Sequence, residues 1–412
     1  MTKSYKFAGA VVLTGIISGV GGMLLAMLLH AIQHLAFGYS PDAIISAESF
    51  LQGVSDSSPE RRVIALICGG LIAGIGWWLL ARYGKPRVSV DAAVKDVSRP
   101  MPLITTFIHA LLQIITVALG SPLGREVAPR EIGALGATSL TRGLKLDAGQ
   151  SKVLIACGAG AGLAAVYNVP LAGAIFTLEV LLISFRWNCV LPAMVTSSIA
   201  ALVASFGLGT GSQYHFSAPT ADTTLIVWAI VTSPIFGYAA HLFRRYTAHA
   251  RKGIKTNWQM PVLCLVSFGL TGLLSVWFPQ LPGNGKGPTQ LALHGDLQGM
   301  LPVLLLLFKL VLVWGVLRAG AEGGVLTPGF TVGALLASIL FSLCSGFMPA
   351  ADQGSIALIG AAAFLASSMQ MPLTTVLLAA EFTRMDSSLV IPVVLAVGGS
   401  FAVCCAIEKR AK

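Results

Sequence analysis

Residues 120–131 read GSPLGREVAPRE, and residues 323–328 read GGVLTP. In each, a Gly is followed five positions later by a Pro, Gly124 to Pro129 and Gly323 to Pro328. Each then runs into a helix-forming stretch with a Gly-Ala pair, Gly133-Ala134 and Gly333-Ala334. Further along, VPLAGAIFTLE at 169–179 matches MPLTTVLLAAE at 371–381, and in both a Glu stands nine residues after the Pro. Upstream, Gly84-Lys85 precedes the first site as Gly285-Lys286 precedes the second. The offsets from Pro129 to Pro328, Pro170 to Pro372 and Gly84 to Gly285 are 199, 202 and 201. Three motifs in one order at nearly constant offset read as a duplicated chain, with halves at 1–210 and 211–412.

Composition says what the halves are made of. Of 412 residues, 55% are hydrophobic and 11% are charged, against about a quarter charged in soluble domains. Mean hydropathy is +0.80. A helix needs about 20 apolar residues to cross a bilayer. Apolar runs at 8–37, 62–82, 103–120, 188–206, 222–243, 258–279, 302–317, 329–348 and 388–408 meet or approach that need. The chain is therefore expected to be an all-α, multi-pass protein of the lipid bilayer, which excludes a soluble enzyme. Between these runs lie shorter Gly- and Pro-rich apolar segments at 129–142, 151–166, 169–184, 285–296, 353–368 and 371–383. Helices that stop partway are tolerated only where protein or a polar cavity receives their ends. Broken, re-entrant helices around a binding site are the expectation.

The net charge of +10 does not point to nucleic acid, because the cations sit in short connections. Arg82, Lys85, Arg87, Lys95 and Arg99 form one cluster. Arg244, Arg245, Arg251, Lys252 and Lys255 form a second, and Lys409, Arg410 and Lys412 a third. Lys and Arg concentrate in cytoplasmic loops, so all three clusters and the C-terminus are expected there, in an inner (plasma) membrane of bacterial type. Lys3 and Lys6 precede an apolar run too long for a signal peptide, so a retained first helix is expected. No soluble regulatory domain is expected after the last helix. The seven cysteines have no metal-ligand spacing and read as small core residues. His30 and His34, four apart, lack a third ligand nearby, and no metal or cofactor is expected.

The chemistry concentrates in the opening motifs. Pro129 suits the first turn of a helix, and a helix N-terminus offers free N–H groups and partial positive charge to an anion. The Glu126 carboxylate would fill such a place when ionised and leave it when protonated or displaced. A charge inside a membrane is costly and usually functional, although Glu126 could instead pair with Arg125. In GGVLTP, the N–H groups of Val325 and Leu326 and the hydroxyl of Thr327 stand at another helix start, where Thr327 is either a donor to an anion or a simple N-cap. Residues 84–91, GKPRVSVD, form a third helix start with Ser89 or Asp91 as N-cap. Arg318 and Glu322, four apart, read as a structural pair. Glu179 and Glu381 hold equivalent places and read as sharing a structural role.

In ordered combination these motifs resemble those of the CLC family of chloride channels and anion/proton antiporters, over essentially the whole chain. GREVAP at 124–129 is similar to the family's GREGP motif, GGVLTP at 323–328 to its GGxFxP motif, and 84–90 stands where the family has GSGIP. The resemblance implies a CLC-type fold of two inverted repeats, with helix N-termini meeting at an anion near the membrane midplane. It implies a homodimer with one pathway per subunit, and makes Glu126 the gating glutamate that exchanges with the anion and carries protons. The anion-binding set it implies is Pro86, Arg87, Val88, Ser89, Gly124, Arg125, Val127, Val325, Leu326 and Thr327, with Phe401 the nearest aromatic to the family's last-helix tyrosine.

The sequence departs from the family in four places. GKPRVSV lacks the chloride-contacting serine, so Pro86 or Arg87 falls there. In GREVAPRE the Pro comes one residue late and a second acid, Glu131, follows. Glu179 is followed by Val180 rather than by the inner proton-transfer glutamate. The tyrosine of the last helix has no counterpart. The departures resemble the fluoride-transporting branch, and they imply fluoride/proton antiport that exports fluoride. Fluoride is small and strongly hydrated, so short donors, an oriented hydroxyl and helix ends have to replace its water. A chloride/proton antiporter or passive chloride channel of the same family is the alternative. An intramembrane enzyme using Glu126 and His109 lacks a nucleophile motif and a metal triad.

Overall fold

A computed structural model describes residues 2–40, 44–46, 48–217, 222–254, 256–347 and 351–410. Seventeen α-helices account for most of these. The first nine are α1 (Thr2–Phe37), α2 (Phe50–Asp56), α3 (Pro59–Tyr83), α4 (Val90–Lys95), α5 (Leu103–Ala118), α6 (Val127–Gly143), α7 (Ala148–Tyr167), α8 (Pro170–Phe176) and α9 (Trp187–Leu208). They are followed by α10 (Thr223–Arg251), α11 (Gln259–Ser275), α12 (Lys286–His294), α13 (Leu301–Ala319), α14 (Leu326–Cys344), α15 (Gln353–Met369), α16 (Pro372–Thr383) and α17 (Val390–Arg410). The end of α8 loosens into a π-helical turn at Thr177–Leu182.

Local sequence sets the helix boundaries. Asp147 accepts from the Gln150 N–H at the start of α7, and Asp352 from Ser355 at the start of α15, which satisfies N–H groups that have no partner inside the helix. Both helices end on a residue in the left-handed region, Asn168 at φ 55° and Gln370 at φ 56°. A Pro two residues later opens α8 and α16. Eight helices are long and apolar enough to cross a membrane. One of them is α7, twenty residues where the apolar run alone marks a shorter segment. By contrast α5, at 16 residues, and α11, at 17, fall short of that length.

The packing runs in matching patterns. Helix α1 packs on α9 as α10 packs on α17, and α6 packs on α7 as α14 packs on α15. Helices α7 and α15 are buried along nearly their whole length and form a central support for α6 and α14. Close approach is possible because the contacts are glycines: a Cβ on Gly133 would run into the carbonyl of Gly158, and one on Gly333 would lie 2.6 Å from the carbonyl of Gly360. Small residues at crossings let helix backbones meet where water gives no drive to association. Outside the crossings, α3, α10 and α17 turn large apolar side chains outward, among them Ile64, Val231 and Ile391.

Ion pairs join the basic clusters. Glu322 takes Arg87 of the first and Arg251 of the second, and Glu408 takes Arg244 of the second next to the third. Lys255 and Lys412 lie outside the described residues. The expected Arg318–Glu322 pair does not form. Helix α13 ends at Ala319, so residue 322 is off the helix and the i,i+4 spacing no longer brings the two together. Arg318 instead donates to the carbonyls of Lys252 and Gly253.

Candidate anion site

The two opening motifs meet backbone to backbone. Gly124 N–H donates to the Gly324 carbonyl at 2.7 Å, and Gly324 N–H returns the bond to Gly124 at 2.9 Å, in one antiparallel bridge. This bridge sets the starts of α6 and α14 against each other. Glu126 caps α6, yet its side chain crosses to the other helix: Leu326 N–H donates to Glu126 Oε1 at 2.9 Å. A Cβ on Gly124 or Gly324 would collide with this carboxylate, so both positions require glycine for the carboxylate to lie where it does. Glu126 is 1% exposed. Its oxygens lie at the N-terminus of α14, where free N–H groups and the helix dipole favour negative charge.

A hydroxyl chain completes the site. Tyr167 O–H donates to Glu126 Oε2 at 3.2 Å, and Tyr167 Oη lies 3.0 Å from Thr327 Oγ1. A phenol has one proton. With that proton given to Glu126, the Thr327 hydroxyl donates to Tyr167. A protonated Glu126 would itself become a donor, so the chain can run either way. The Tyr167 ring is walled by Phe382 at 5.2 Å and stacked upon by the Arg125 guanidinium at 5.2 Å. Phe330 and Tyr214 close the same aromatic wall around Phe382. Gln213 ties these groups together, accepting from Arg125 at 3.3 Å and donating to the Tyr167 carbonyl at 3.2 Å.

Of the residues singled out in the sequence, Gly124, Glu126, Leu326 and Thr327 thus come together, with Val127 and Val325 as flanking helix-start positions. Arg125 is buried and makes no ion pair with Glu126 among the described residues. The 86–89 segment is not joined to Glu126 by any described hydrogen bond. Ser89 caps α4, accepting from Ala92 N–H at 3.2 Å. Arg87 contacts the His109 ring and Glu322. Pro86 is exposed and Val88 half-buried. Phe401 sits within α17, away from every described ring contact and hydrogen bond of the site. The hydroxyl partner is Tyr167, at the end of α7. Its signal in the sequence is a mismatch between the repeats: Tyr167 precedes VPL by two residues where Met369 precedes MPL.

The sequence matches the family profile described as voltage gated chloride channel over residues 68–405. The chain belongs to this CLC family. It is 27% identical to the H(+)/Cl(-) exchange transporter ClcA of Cronobacter sakazakii, over 81% of this chain and 74% of that one. It is 28% identical to the voltage-gated ClC-type chloride channel ClcB of Citrobacter koseri, over 81% and 82%. Among solved structures, a slow cyanobacterial Cl-/H+ antiporter superposes with a TM-score of 0.82 at 17% identity, covering 98% of this chain and 95% of that one. A CLC-type fluoride/proton antiporter gives 0.73 at 20% identity, covering 96% and 95%. The fold is thus the CLC fold, and the chain is a multi-pass CLC protein, an anion exchanger or channel. These likenesses do not single out the fluoride branch.

Proposed function

We propose that this CLC protein exchanges an inorganic anion for protons through Glu126, and that its cargo is fluoride, exported across the inner membrane. One observation carries the exchange: the Glu126 carboxylate occupies the N-terminus of α14 on donors that an anion would use. Carboxylate and anion then compete for one place. Protonating Glu126 weakens its hold there, because a neutral acid gains less from the helix end. The anion enters as the proton binds, so one side chain links both fluxes.

Fluoride is favoured by the donor set. Leu326 N–H and Tyr167 O–H are short, oriented donors, with Thr327 O–H backing the tyrosine, and the anion with the tighter water shell gains most from them. A chloride exchanger or channel is the second reading, favoured by the names of the relatives above. The two-repeat division at 1–210 and 211–412 is supported by the matching helix packing. Linked basic clusters support a cytoplasmic C-terminus. A homodimer with one pathway per subunit follows from the family resemblance, and α8 and α16, too short to span, turn Leu171 and Leu373 outward for a second copy to cover.

Proteoliposomes loaded with fluoride or chloride, read by ion-selective electrodes with internal pH followed, test the reading. Fluoride efflux at least about tenfold above chloride with opposed proton movement supports it, a margin that polar-site discrimination readily reaches. Chloride flux equal to fluoride sinks the fluoride assignment, and flux without proton movement sinks the exchange.

A further inference from the structure

A second buried carboxylate follows the first in GREVAPRE, and the anion site leaves it unused. Glu131, on α6, bonds to His109 of α5, with Glu131 Oε2 2.8 Å from His109 Nδ1. The two side chains are only 5% and 2% exposed. The amide of Gln113, one turn along α5, lies 3.1 Å from Glu131 Oε2. The edge of Trp77 on α3 closes one side of the imidazole. Helix α1, packed on both α5 and α6, carries its cationic and imidazole groups at its two ends. An ionisable pair so enclosed inside a membrane protein is costly unless it does something.

Its outer end decides what it can do. Arg87 Nη1 contacts His109 Nε2. A guanidinium can only donate, so Nε2 accepts. Nδ1 lies 2.8 Å from both Glu131 Oε2 and Gln113 Nε2. We assign the ring proton to Nδ1, toward Glu131, with the Gln113 amide, whose Oε1 has no other partner among the described residues, turned to present its oxygen. Arg87 itself is exposed and has another partner, Glu322 Oε1 at 3.3 Å, and Glu322 is held in turn by Arg251. Arg251 also donates to the Gly323 carbonyl at 3.0 Å, in the motif that opens α14.

We propose that Glu131 and His109 form a proton-holding station of this pathway and that Arg87 is its gate. The proposal rests on the exchange reading above. When Arg87 swings off the ring, keeping only Glu322 or taking an anion near it, His109 Nε2 is bared and takes a proton from water. The imidazolium then passes its Nδ1 proton to Glu131 Oε2, leaving a neutral ring with its proton on Nε2 and a neutral carboxylic acid. The charge gained is one proton, and no other bond changes. While Nε2 carries that proton Arg87 cannot return, so uptake and gate position are linked.

The test measures anion and proton flux together in proteoliposomes. In Glu131→Gln the ratio of protons to anions moved falls about tenfold or more, the scale of a lost acid-base group, while anion flux stays within about threefold. The double variant His109→Gln/Glu131→Gln, which buries no unpaired charge, gives the same lowered ratio even if the single one folds poorly. Arg87→Gln leaves the buried pair whole and raises proton movement without anion about tenfold, by baring Nε2. A wild-type ratio in both Gln variants overturns the station, and unchanged anion-free proton movement in Arg87→Gln overturns the gate. A wild-type protein that moves anion with no protons defeats the exchange reading itself, and so is told apart from either result.

Discussion

Two pairs of helix starts in this molecule carry glutamates, and the pairs differ in symmetry. At α8 and α16 the arrangement is reciprocal. Glu381, on α16, accepts from Leu171 and Ala172 N–H at the start of α8 at 3.0 and 2.8 Å. Glu179, just past α8, accepts from Leu373 and Thr374 N–H at the start of α16 at 2.9 and 2.8 Å. Each carboxylate satisfies the other helix. At α6 and α14 the exchange is one-sided: Glu126 reaches the start of α14, while the second motif sends no carboxylate back and its Thr327 hydroxyl meets Tyr167 of α7. The reciprocal pair has nothing to release, since both ends are already capped. The one-sided pair has a single charge that can leave and a helix end that can then take an anion.

The largest effect expected from this contrast is at Glu126. Glu126→Gln removes the competing charge and the proton carrier together, so proton movement coupled to anion flux falls by about 10²-fold or more. The check is flux recorded with internal pH. Retained coupling would make the one-sided pair as inert as the reciprocal one.

Next come the reciprocal caps. Glu381→Gln replaces two bonds to a charged group with weaker ones, and Glu179→Gln replaces three, counting the Thr374 hydroxyl at 2.6 Å; each costs about 2 kcal/mol. Both lower the thermal midpoint of the purified protein by similar amounts, and neither changes the proton-to-anion ratio. A changed ratio in Glu179→Gln alone would give that glutamate a transport role and break the symmetry.

Smaller effects sharpen the site itself. Tyr167→Phe removes one hydroxyl donor and weakens anion binding by about tenfold, the scale of about 1.4 kcal/mol for a bond to a charged partner. Thr327→Val, one step further along the chain, weakens it by about threefold, since Thr327 acts on Glu126 through Tyr167. Titration of anion binding against fluoride checks both. A larger loss in Thr327→Val than in Tyr167→Phe would place the anion against the threonine directly.

The fold and half of the site were readable because their signals are local. Glycines, a delayed Pro129 and a carboxylate at a helix start name Glu126, Leu326 and Thr327 without tertiary knowledge. Glu179 and Glu381 were readable as a shared structural feature from repeat position alone. Tyr167 was not, because its hydroxyl reaches Glu126 only after α7 has packed on α6, and a Tyr before a helix end carries no periodic signal. The Glu131–His109 bond likewise joins α6 to α5 across 22 residues, and the partners of Arg87, His109 and Glu322, lie 22 and 235 positions away. The misplaced Arg318–Glu322 pair shows the limit of spacing rules. They hold within a helix and fail here two residues past the Gly320 cap of α13.

The central claim is that Glu126 and the anion compete for the start of α14. Calorimetric titration of fluoride into the purified protein across pH, for the wild type and for Glu126→Gln, tests this most directly. The account predicts that wild-type affinity rises as pH falls, because protonation removes the competitor, and that Glu126→Gln binds tightly at every pH. Equal affinity and equal pH dependence in the two proteins would contradict it.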